Sequence, residues 1–250
     1  MTMQSEKAAF FFDLDNTLFD YEASFKKASL FAFRSITSMD NADKKLEEKW
    51  FTCYKTFCDF YWQAYEKEWI TREEYQSKRL LSSLRAAGLR NFSKKEIQQF
   101  QQLFEKNVHL FVEPYSWIKD IFKVLTRYKI TYGIISNGSA FVQRNKIKQL
   151  QLDIPEKHIY ISSEIKVAKP SPEIFHFVKK KTEASALYYV GDSYSLDMVP
   201  AIQAEWTAIW WNPLKFTITN ESNPHHNCYS SRELIEVIMR YIESAGCSLR

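Results

Sequence analysis

Short apolar runs recur along the chain, and polar or small residues end or follow them. The runs are rich in Ile, Val, Tyr and Phe, are about five to seven residues long, and lack the 3.6-residue period of an amphipathic helix. Continuous apolar runs of this length are typical of parallel strands that are buried on both faces. The runs predicted to be strands are Ala9–Asp13, Ile130–Ser136, His158–Ser162, Leu187–Asp192 and Thr207–Trp211.

Helix-like segments follow the second, third and fourth of these runs. They are Phe141–Leu150, Pro172–Lys181 and Leu196–Ala204, and Ser171 with Pro172 offers the second one an N-cap and a first-turn proline. This alternation of strand and helix predicts an α/β fold with a doubly wound, Rossmann-like parallel sheet. Ligands of such sheets bind beyond the carboxyl ends of the strands, so we expect the chemistry where the apolar runs end.

A long helical insertion separates the first strand from the helix that starts near Pro114. About a hundred residues there contain no strand pattern, which is too many for a simple crossover connection. Gly88 is expected to end the third insertion helix, and Ser93 with Glu96 forms a capping-box pattern for the fourth. The predicted helices are Tyr21–Ser38, Ala42–Glu68, Arg72–Ala87 and Ser93–Phe111.

These assignments divide the chain into two domains. The α/β core is expected to comprise residues 1–18 and 112–250, and an all-helical cap domain is expected at residues 19–111. Within the core, the polar segment Asn212–Ser231 is predicted to be a surface loop, followed by an amphipathic helix at Arg232–Ile242.

Composition and charge fit an ordinary globular protein. Hydrophobic residues make up 45% and charged residues 26%, which argues against disordered and fibrous classes. The net charge of +4, without a long basic block, argues against a nucleic-acid polymer as partner and suits a small anionic substrate. We find neither a run of about 18 apolar residues nor a signal-peptide pattern. We therefore expect a cytoplasmic location and no membrane partner, while the oligomeric state is not predicted.

The cysteines and the paired histidines do not form a recognisable metal site. Buried free thiols are the preferred interpretation, because the cysteines lack CxxC spacing and two close thiols leave a zinc site two ligands short. His225 and His226 are adjacent in the polar loop and are interpreted as incidental. The cysteines are Cys53, Cys58, Cys228 and Cys247.

Two carboxylates end the first strand. Because side chains alternate along a strand, Asp13 and Asp15 should point to one side and Leu14 to the other. An Asp can attack phosphorus, and an aspartyl-phosphate splits a difficult hydrolysis into two easier displacements. The second carboxylate could protonate the leaving oxygen and then deprotonate the attacking water. Taken alone, the DxDxT pattern is equally consistent with a turn former or a helix cap.

Polar groups at the other strand ends change that balance. Ser136 and Asn137 combine a hydroxyl with backbone N–H groups near a helix start, which can hold a phosphate. Lys169 is a point charge that can bind a phosphoryl oxygen. Asp192 and Asp197 offer the oxygen ligands that a hard cation needs. Each pattern alone is common in turns and on solvated surfaces, but together they stand in order at successive strand ends.

In this order the residues resemble the four motifs of the haloacid dehalogenase superfamily. The matching positions are Asp13/Asp15/Thr17, Ser136, Lys169 and Asp192/Asp197. The resemblance covers essentially the whole chain and includes a helical cap of the C1 type inserted after the first motif. It implies a Mg²⁺-dependent phosphatase that acts on a small phosphorylated metabolite through an aspartyl-phosphate intermediate.

The resemblance also implies residue roles. Asp13 would be the nucleophile and Asp15 the general acid and then base. Mg²⁺ would be bound by Asp13, the backbone carbonyl of Asp15, and Asp192, with Asp197 supporting the metal site indirectly. The residues expected to hold or orient the phosphoryl group are Thr17, Ser136, Asn137 and Lys169.

Asp15 separates reactions within the superfamily. The dehalogenases form an ester with carbon, need neither metal nor acid, and lack an Asp at this place, so the residue disfavours dehalogenation. A phosphonatase would need a cap lysine that we cannot place, and a phosphate-pumping ATPase would need membrane spans. A non-catalytic phosphate-binding protein on the same fold is a further alternative, ranked low because all four motifs are intact.

Within the superfamily the chain resembles the pyrimidine 5′-nucleotidases. The matching segments are Asn16–Asp20 and Trp210–Pro213, and they favour a nucleoside 5′-monophosphate as substrate. Phosphoglycolate and sugar-phosphate phosphatases share nearly all of these features and are the alternatives. Glu205 departs from the family, since a glycine is common at this turn.

The cap is expected to set specificity by excluding water from the strand ends. Phe19 and Tyr21, just after the first motif, are the residues best placed to touch a substrate. An aromatic stripe in the second insertion helix could stack on a base but is interpreted as cap core. Its members are Trp50, Tyr54, Phe57, Tyr61 and Tyr65.

Overall fold

A six-stranded parallel sheet lies at the centre of the core. The computed structural model describes residues 7–37, 44–218 and 223–245, and the strand order is β3-β2-β1-β4-β5-β6. Every pair of neighbouring strands is parallel, which confirms the predicted doubly wound α/β sheet. The strands are β1 (Ala8–Phe12), β2 (Thr131–Ser136), β3 (Ile159–Ile161), β4 (Ala186–Gly191), β5 (Thr207–Trp211) and β6 (His226–Cys228).

The prediction of a loop throughout Asn212–Ser231 is wrong, because the edge strand β6 lies within it. β6 pairs with β5 in the register Trp210↔Asn227. Three polar or small residues at a sheet edge produce no apolar run, so the pattern could not reveal the strand. The paired histidines at the start of β6 are structural: His225 Nδ1 accepts from the Ala208 amide at 3.0 Å, and a His226 ring nitrogen lies 2.7 Å from the Tyr241 hydroxyl.

Alternation along β1 divides the core into two apolar layers. Phe12 packs against Phe122 on one face, with ring centroids 5.2 Å apart. Phe11 packs against Trp206 on the other face, at 5.6 Å. Both phenylalanines are fully buried. β1 is therefore fixed from both sides, and the residue that follows it is held at a defined place.

The insertion forms a compact helical unit of its own, Glu22–Phe111, while the other unit contains Met1–Tyr21 and Val112–Arg250. Gly88 ends the helix Arg72–Ala87 in the left-handed region, and the Ser93–Glu96 capping box begins the helix Lys94–Asn107. The predicted ends Ser38 and Ala42 lie outside the described residues. The helices are α1 (Tyr21–Thr37), α2 (Lys44–Glu66), α3 (Arg72–Ala87) and α4 (Lys94–Asn107), the last followed by a 3₁₀ turn at Val108–Phe111.

Aromatic stacking forms the core of this helical unit. Trp50 stacks on Phe33 with ring centroids 4.0 Å apart and on Tyr54 at 5.1 Å. Trp50 and Tyr54 are buried, which confirms the cap-core interpretation for these two members of the stripe. Phe57, Tyr61 and Tyr65 are only half-buried.

Among the described residues, six further α-helices belong to the core unit. The predicted Leu196–Ala204 helix is divided into a π-helical turn at Tyr194–Met198 and a short helix. The prediction of Ser171 as an N-cap is wrong, because the helix begins at Glu173 and Pro172 is its N-cap residue; Ser171 Oγ accepts from the Glu173 amide at 3.3 Å from one residue further back. The helices are α5 (Ile118–Arg127), α6 (Ala140–Leu150), α7 (Ser162–Ile165), α8 (Glu173–Lys179), α9 (Val199–Gln203) and α10 (Ser231–Ser244).

The chain leaves and re-enters the core unit at one place. Phe19 and Pro114 form an isolated antiparallel bridge, and the Tyr115 amide donates to the Leu18 carbonyl at 3.1 Å. The two ends of the insertion are therefore held together by backbone pairing within the core unit.

Cys53, Cys58 and Cys228 are free thiols; Cys58 and Cys228 are buried and Cys53 is half-buried. Cys247 lies outside the described residues. Among the helices that the structure describes, none combines the length and the apolar character needed to cross a membrane.

Candidate active site

A buried lysine binds two carboxylates where β1 and β4 end. Asp13 follows β1, and its amide donates to the Val190 carbonyl at 2.8 Å, which fixes its backbone beside β4. Lys169 Nζ lies 2.6 Å from Asp13 Oδ1 and 2.5 Å from Asp197 Oδ1. Its side chain is only 3% exposed. The predicted grouping of Asp13 with Lys169 and Asp197 is therefore present in the fold.

The charge of Lys169 is stabilised by its partners. Burial lowers the pKa of an ammonium group, but Asp13 and Asp197 outweigh that effect and hold the pKa of Lys169 above its ordinary value. Tyr189 is a third partner, with its hydroxyl 2.9 Å from Nζ. Sequence reasoning did not single out Tyr189, because a tyrosine inside an apolar strand looks like a core residue.

Three carboxylates converge at this end of the sheet. Asp13, Asp192 and Asp197 each offer one oxygen, and these oxygens lie within 4.8 Å of one another. Burial, with further contributions from neighbouring carboxylates, raises the pKa of Asp13 and of Asp192 even though Lys169 opposes the effect. A divalent cation would relieve this repulsion, and carboxylate oxygens are the ligands that Mg²⁺ prefers. The residues present therefore fit a magnesium ion.

Asp197 is positioned by the π-helical turn. Its Oδ1 binds Lys169, and its Oδ2 accepts from the Ser193 amide at 2.9 Å. A Cβ atom at Gly191 would lie 2.6 Å from Asp197 Oδ2, so only glycine lets this carboxylate approach the end of β4. Both Asp197 oxygens thus have protein partners.

Asp15 is held by two side chains of α6. Lys146 Nζ lies 2.7 and 3.0 Å from its two oxygens, and Gln143 Nε2 donates to Oδ2 at 3.0 Å. Gln143 also donates to Ser136 Oγ at 2.7 Å. Sequence reasoning missed Gln143 and Lys146, although two long polar side chains three residues apart on a partly buried helix were a signal.

Asn137 and Thr17, expected to orient phosphate or the Asp13 loop, bind protein groups at the site. The Asn137 amide donates to the Lys169 carbonyl at 2.7 Å and accepts from the Lys169 amide at 2.9 Å, beside the cis Lys169–Pro170 bond. Thr17 Oγ1 donates to Asp192 Oδ1 at 3.4 Å. In this arrangement Asn137 fixes the lysine loop and Thr17 fixes a carboxylate of the acidic cluster.

One further sequence expectation, that Phe19 is placed to touch a substrate, needs correction. Phe19 is fully buried, so it is not placed to touch a substrate, whereas Tyr21 is half-buried with its ring 4.4 Å from Lys146 Nζ. Trp210, in the segment thought to resemble nucleotidases, donates from its indole nitrogen to the Asp192 carbonyl at 2.7 Å. Trp210 therefore supports the backbone that carries Asp192.

Comparison with known proteins gives matches along most of the chain. A family model described as haloacid dehalogenase-like hydrolase matches residues 10–211. The HAD-hydrolase YfnB of Bacillus subtilis (strain 168) is 23% identical over 230 residues, which cover 91% of this chain and 93% of that protein. The pyrimidine 5′-nucleotidase PynA of Streptococcus pneumoniae (strain ATCC BAA-255 / R6) is 22% identical, covering 92% and 94% of the two chains.

Solved structures show the same fold. The structure of B. subtilis YfnB bound to magnesium superposes with a TM-score of 0.72 at 20% identity and covers 93% of this chain and 99% of that one. A 2-haloacid dehalogenase from Pseudomonas syringae pv. Tomato DC3000 superposes with a TM-score of 0.55 at 23% identity, covering 94% and 99%. Proteins of this fold thus include a dehalogenase, so the fold alone does not decide between carbon and phosphorus chemistry.

Proposed function

Since this chain belongs to the haloacid dehalogenase-like hydrolase family, we propose that it is a Mg²⁺-dependent phosphatase that uses Asp13 as nucleophile. The observation that carries the proposal is the second carboxylate. Asp15 lies near enough for its charge to raise the pKa of Asp13, and its side chain is 28% exposed. Cleavage of a phosphate ester needs a nucleophile and a neighbouring acid. The dehalogenases lack this acid.

In the first step, Asp13 forms a bond to phosphorus and the bond from phosphorus to the leaving oxygen breaks. Asp15, which must be protonated when this step begins, gives its proton to that oxygen, so the product leaves as an alcohol. In the second step, water attacks phosphorus while Asp15 takes up its proton, and the Asp13–phosphorus bond breaks. Inorganic phosphate is released and both carboxyl groups return to their starting states.

Lys169 and Ser136 hold the transferring group in this scheme. Lys169 provides fixed positive charge beside the nucleophile, which offsets the repulsion between Asp13 and an anionic substrate. Mg²⁺, held by Asp13, Asp192 and the backbone carbonyl of Asp15, would supply further positive charge at the phosphoryl oxygens. Asp197 keeps Lys169 in place from behind.

We further propose a nucleoside 5′-monophosphate as substrate. The support is the likeness to the pyrimidine 5′-nucleotidase PynA along 92% of the chain. Phosphoglycolate and hexose phosphates are the alternatives, because the phosphate-handling residues would treat these esters alike. A small phosphorylated metabolite in the cytoplasm remains the expected partner.

The test is phosphate release with and without Mg²⁺ from dUMP, dTMP, UMP, phosphoglycolate, hexose phosphates and p-nitrophenyl phosphate. Asp13→Asn is the control, since it retains the shape and loses the nucleophile. A parallel assay measures halide release from a 2-haloacid. We expect metal-dependent hydrolysis that Asp13→Asn abolishes, and no halide. Halide release without phosphatase activity would overturn the reaction class, and a higher kcat/KM for sugar phosphates than for nucleotides would overturn the substrate class.

A further inference from the structure

The side chain that holds the proposed acid is a second buried lysine. Lys146 lies in α6 with a side chain only 3% exposed, and its Nζ contacts both oxygens of Asp15. Lysine is almost never buried this deeply unless it is paired. The structure therefore has two buried lysines at this edge of the sheet: Lys169 contacts Asp13, and Lys146 contacts Asp15.

The surroundings of Lys146 restrict where its ammonium group can lie. The ring of Tyr21 is 4.4 Å from Nζ and the ring of Phe19 is 5.9 Å away. Aromatic faces attract an ammonium group, and a side chain that is only 3% exposed has little room for another rotamer. Lys146 is thus enclosed by rings on its flanks and directed at one carboxylate.

Gln143 completes the arrangement from the same helix face. It is 2% exposed, and its Nε2 lies 3.0 Å from Asp15 Oδ2 and 2.7 Å from Ser136 Oγ. One amide thus ties Asp15, in the loop after β1, to Ser136, the last residue of β2. Asp15 receives three N–H···O contacts, which fix its side-chain torsions and leave an edge of the carboxylate open to solvent.

We propose that Lys146 and Gln143 are positioning residues that aim Asp15 at the leaving oxygen. The inference rests on the proposed phosphatase function and adds that Asp15 must be held in a defined position. A proton donor must reach the leaving oxygen within hydrogen-bond distance, and a misplacement of about 1 Å can cost about 100-fold in rate. Losing Lys146 should therefore damage leaving-group protonation and spare phosphate binding, whereas losing Gln143 also removes the hydrogen bond to Ser136.

The experiment compares two esters that differ in their need for a proton. Nitrophenolate departs as a stable anion, whereas the alkoxide of a nucleoside must be protonated as it leaves. Lys146→Met keeps the length and burial of the side chain and removes its charge. Lys148→Met makes the same change at an exposed position of the same helix and serves as the control.

For Lys146→Met we expect kcat/KM on dUMP to fall about 100-fold, mainly through kcat. On p-nitrophenyl phosphate we expect kcat/KM to fall by about tenfold or less. Lys148→Met should match wild type on both esters. Gln143→Leu, which removes no charge but also frees Ser136, should lower kcat/KM on both esters and lower it more on dUMP, and it replaces Lys146→Met if that variant does not fold. Adding Lys146→Met to Asp15→Asn should cause no further loss on dUMP, because the two residues act as one unit.

Equal losses on both esters, or a further loss in the Asp15→Asn background, would show that Lys146 does not act through Asp15 and would overturn the inference while leaving the phosphatase proposal intact. A wild-type protein that hydrolyses neither ester would overturn both.

Discussion

Tyr189 is the neutral side chain that contacts both charged partners behind the nucleophile. Its hydroxyl accepts from Lys169 Nζ at 2.9 Å, and its single proton has two acceptors, the Ile135 carbonyl at 3.0 Å and Asp197 Oδ1 at 3.3 Å. Burial, with the nearby carboxylates, raises the pKa of Tyr189 well above its ordinary value, so it remains a donor at any physiological pH.

Tyr189→Phe should therefore weaken both stability and catalysis. A buried carbonyl and a buried ammonium each lose a partner, which costs about 1–3 kcal/mol in the free energy of unfolding. Because Lys169 is held less firmly, we expect kcat/KM to fall about 10- to 100-fold, as for other residues that orient a metal site from behind. Urea unfolding and phosphatase assays measure the two effects.

Tyr160→Phe is the matched control, because Tyr160 is buried in the same apolar layer as Tyr189 and lies on the edge strand β3. It should keep full activity. An active, fully stable Tyr189→Phe protein would show that Lys169 needs only its carboxylates.

Residue-scale prediction from sequence succeeded where the backbone alone brings side chains together. Asp13, Ser136 and Asp192 follow or end parallel strands, and the carboxyl ends of such strands meet at one edge of the sheet. Lys146 and Tyr189 were missed because their roles depend on which way a helix face or a strand face points after packing. That information is tertiary and leaves only a weak pattern in the chain.

At the scale of elements, the turn after α9 contains a strained residue. Glu205 has φ = 63°, in the left-handed region where a non-glycine residue costs about 1–2 kcal/mol. Its amide donates to the Ile202 carbonyl at 3.0 Å, so the turn closes the helix as it would with glycine. The exposed ion pair with Lys179, at 3.5 Å, contributes little.

Glu205→Gly should stabilise the protein. Relief of the left-handed strain exceeds the backbone entropy that glycine loses on folding, about 0.5–1 kcal/mol, so we expect a net gain of about 0.5–1 kcal/mol. Chemical denaturation measures it. Glu205→Ala removes the same carboxylate and keeps the strain, so it should give no gain; if both variants gained equally, the side chain and not the backbone would be responsible.

Prediction of elements from the pattern worked for long or strongly apolar segments. The five apolar runs became β1 to β5, and the helix at Arg72–Ala87 has the predicted bounds. The pattern missed β6 because the residues of that strand are few and polar. It missed the π-helical turn because no periodicity distinguishes such a turn from an α-helix. Both misses are local details that contacts with neighbours decide.

At the scale of the whole molecule, the acidic cluster lowers the stability of the metal-free protein at neutral pH. The pKa of Asp13 and of Asp192 is raised above 3.8, so the folded state retains protons that the unfolded chain has released. Their contribution to stability is fully present below pH 3.8 and is lost as the pH rises through the raised pKa values. A cation that binds the ionised carboxylates reverses this loss.

Asp192→Asn should therefore raise the Tm of the metal-free protein at pH 8 by about 2–4 °C. Between pH 5 and pH 8 the Tm of the variant should also decline less than the Tm of wild type. Mg²⁺ should raise the Tm of wild type more at pH 8 than at pH 6, and it should leave the variant unchanged. Thermal unfolding in EDTA and in MgCl₂ measures both, with Asp153→Asn at an exposed position as control. If the variant were no more stable than wild type at pH 8 in EDTA, the buried carboxylates would not be what destabilises the metal-free protein.

The backbone bridge between Phe19 and Pro114 has a consequence for how such proteins diversify. Because the core itself pins the two points between which residues 22–111 are inserted, most of the entropy of closing that loop does not depend on what the loop contains. A segment of different length or sequence can be grafted between the same anchors without disturbing β1. Evolution can therefore replace the whole insertion while the residues of the active site stay the same.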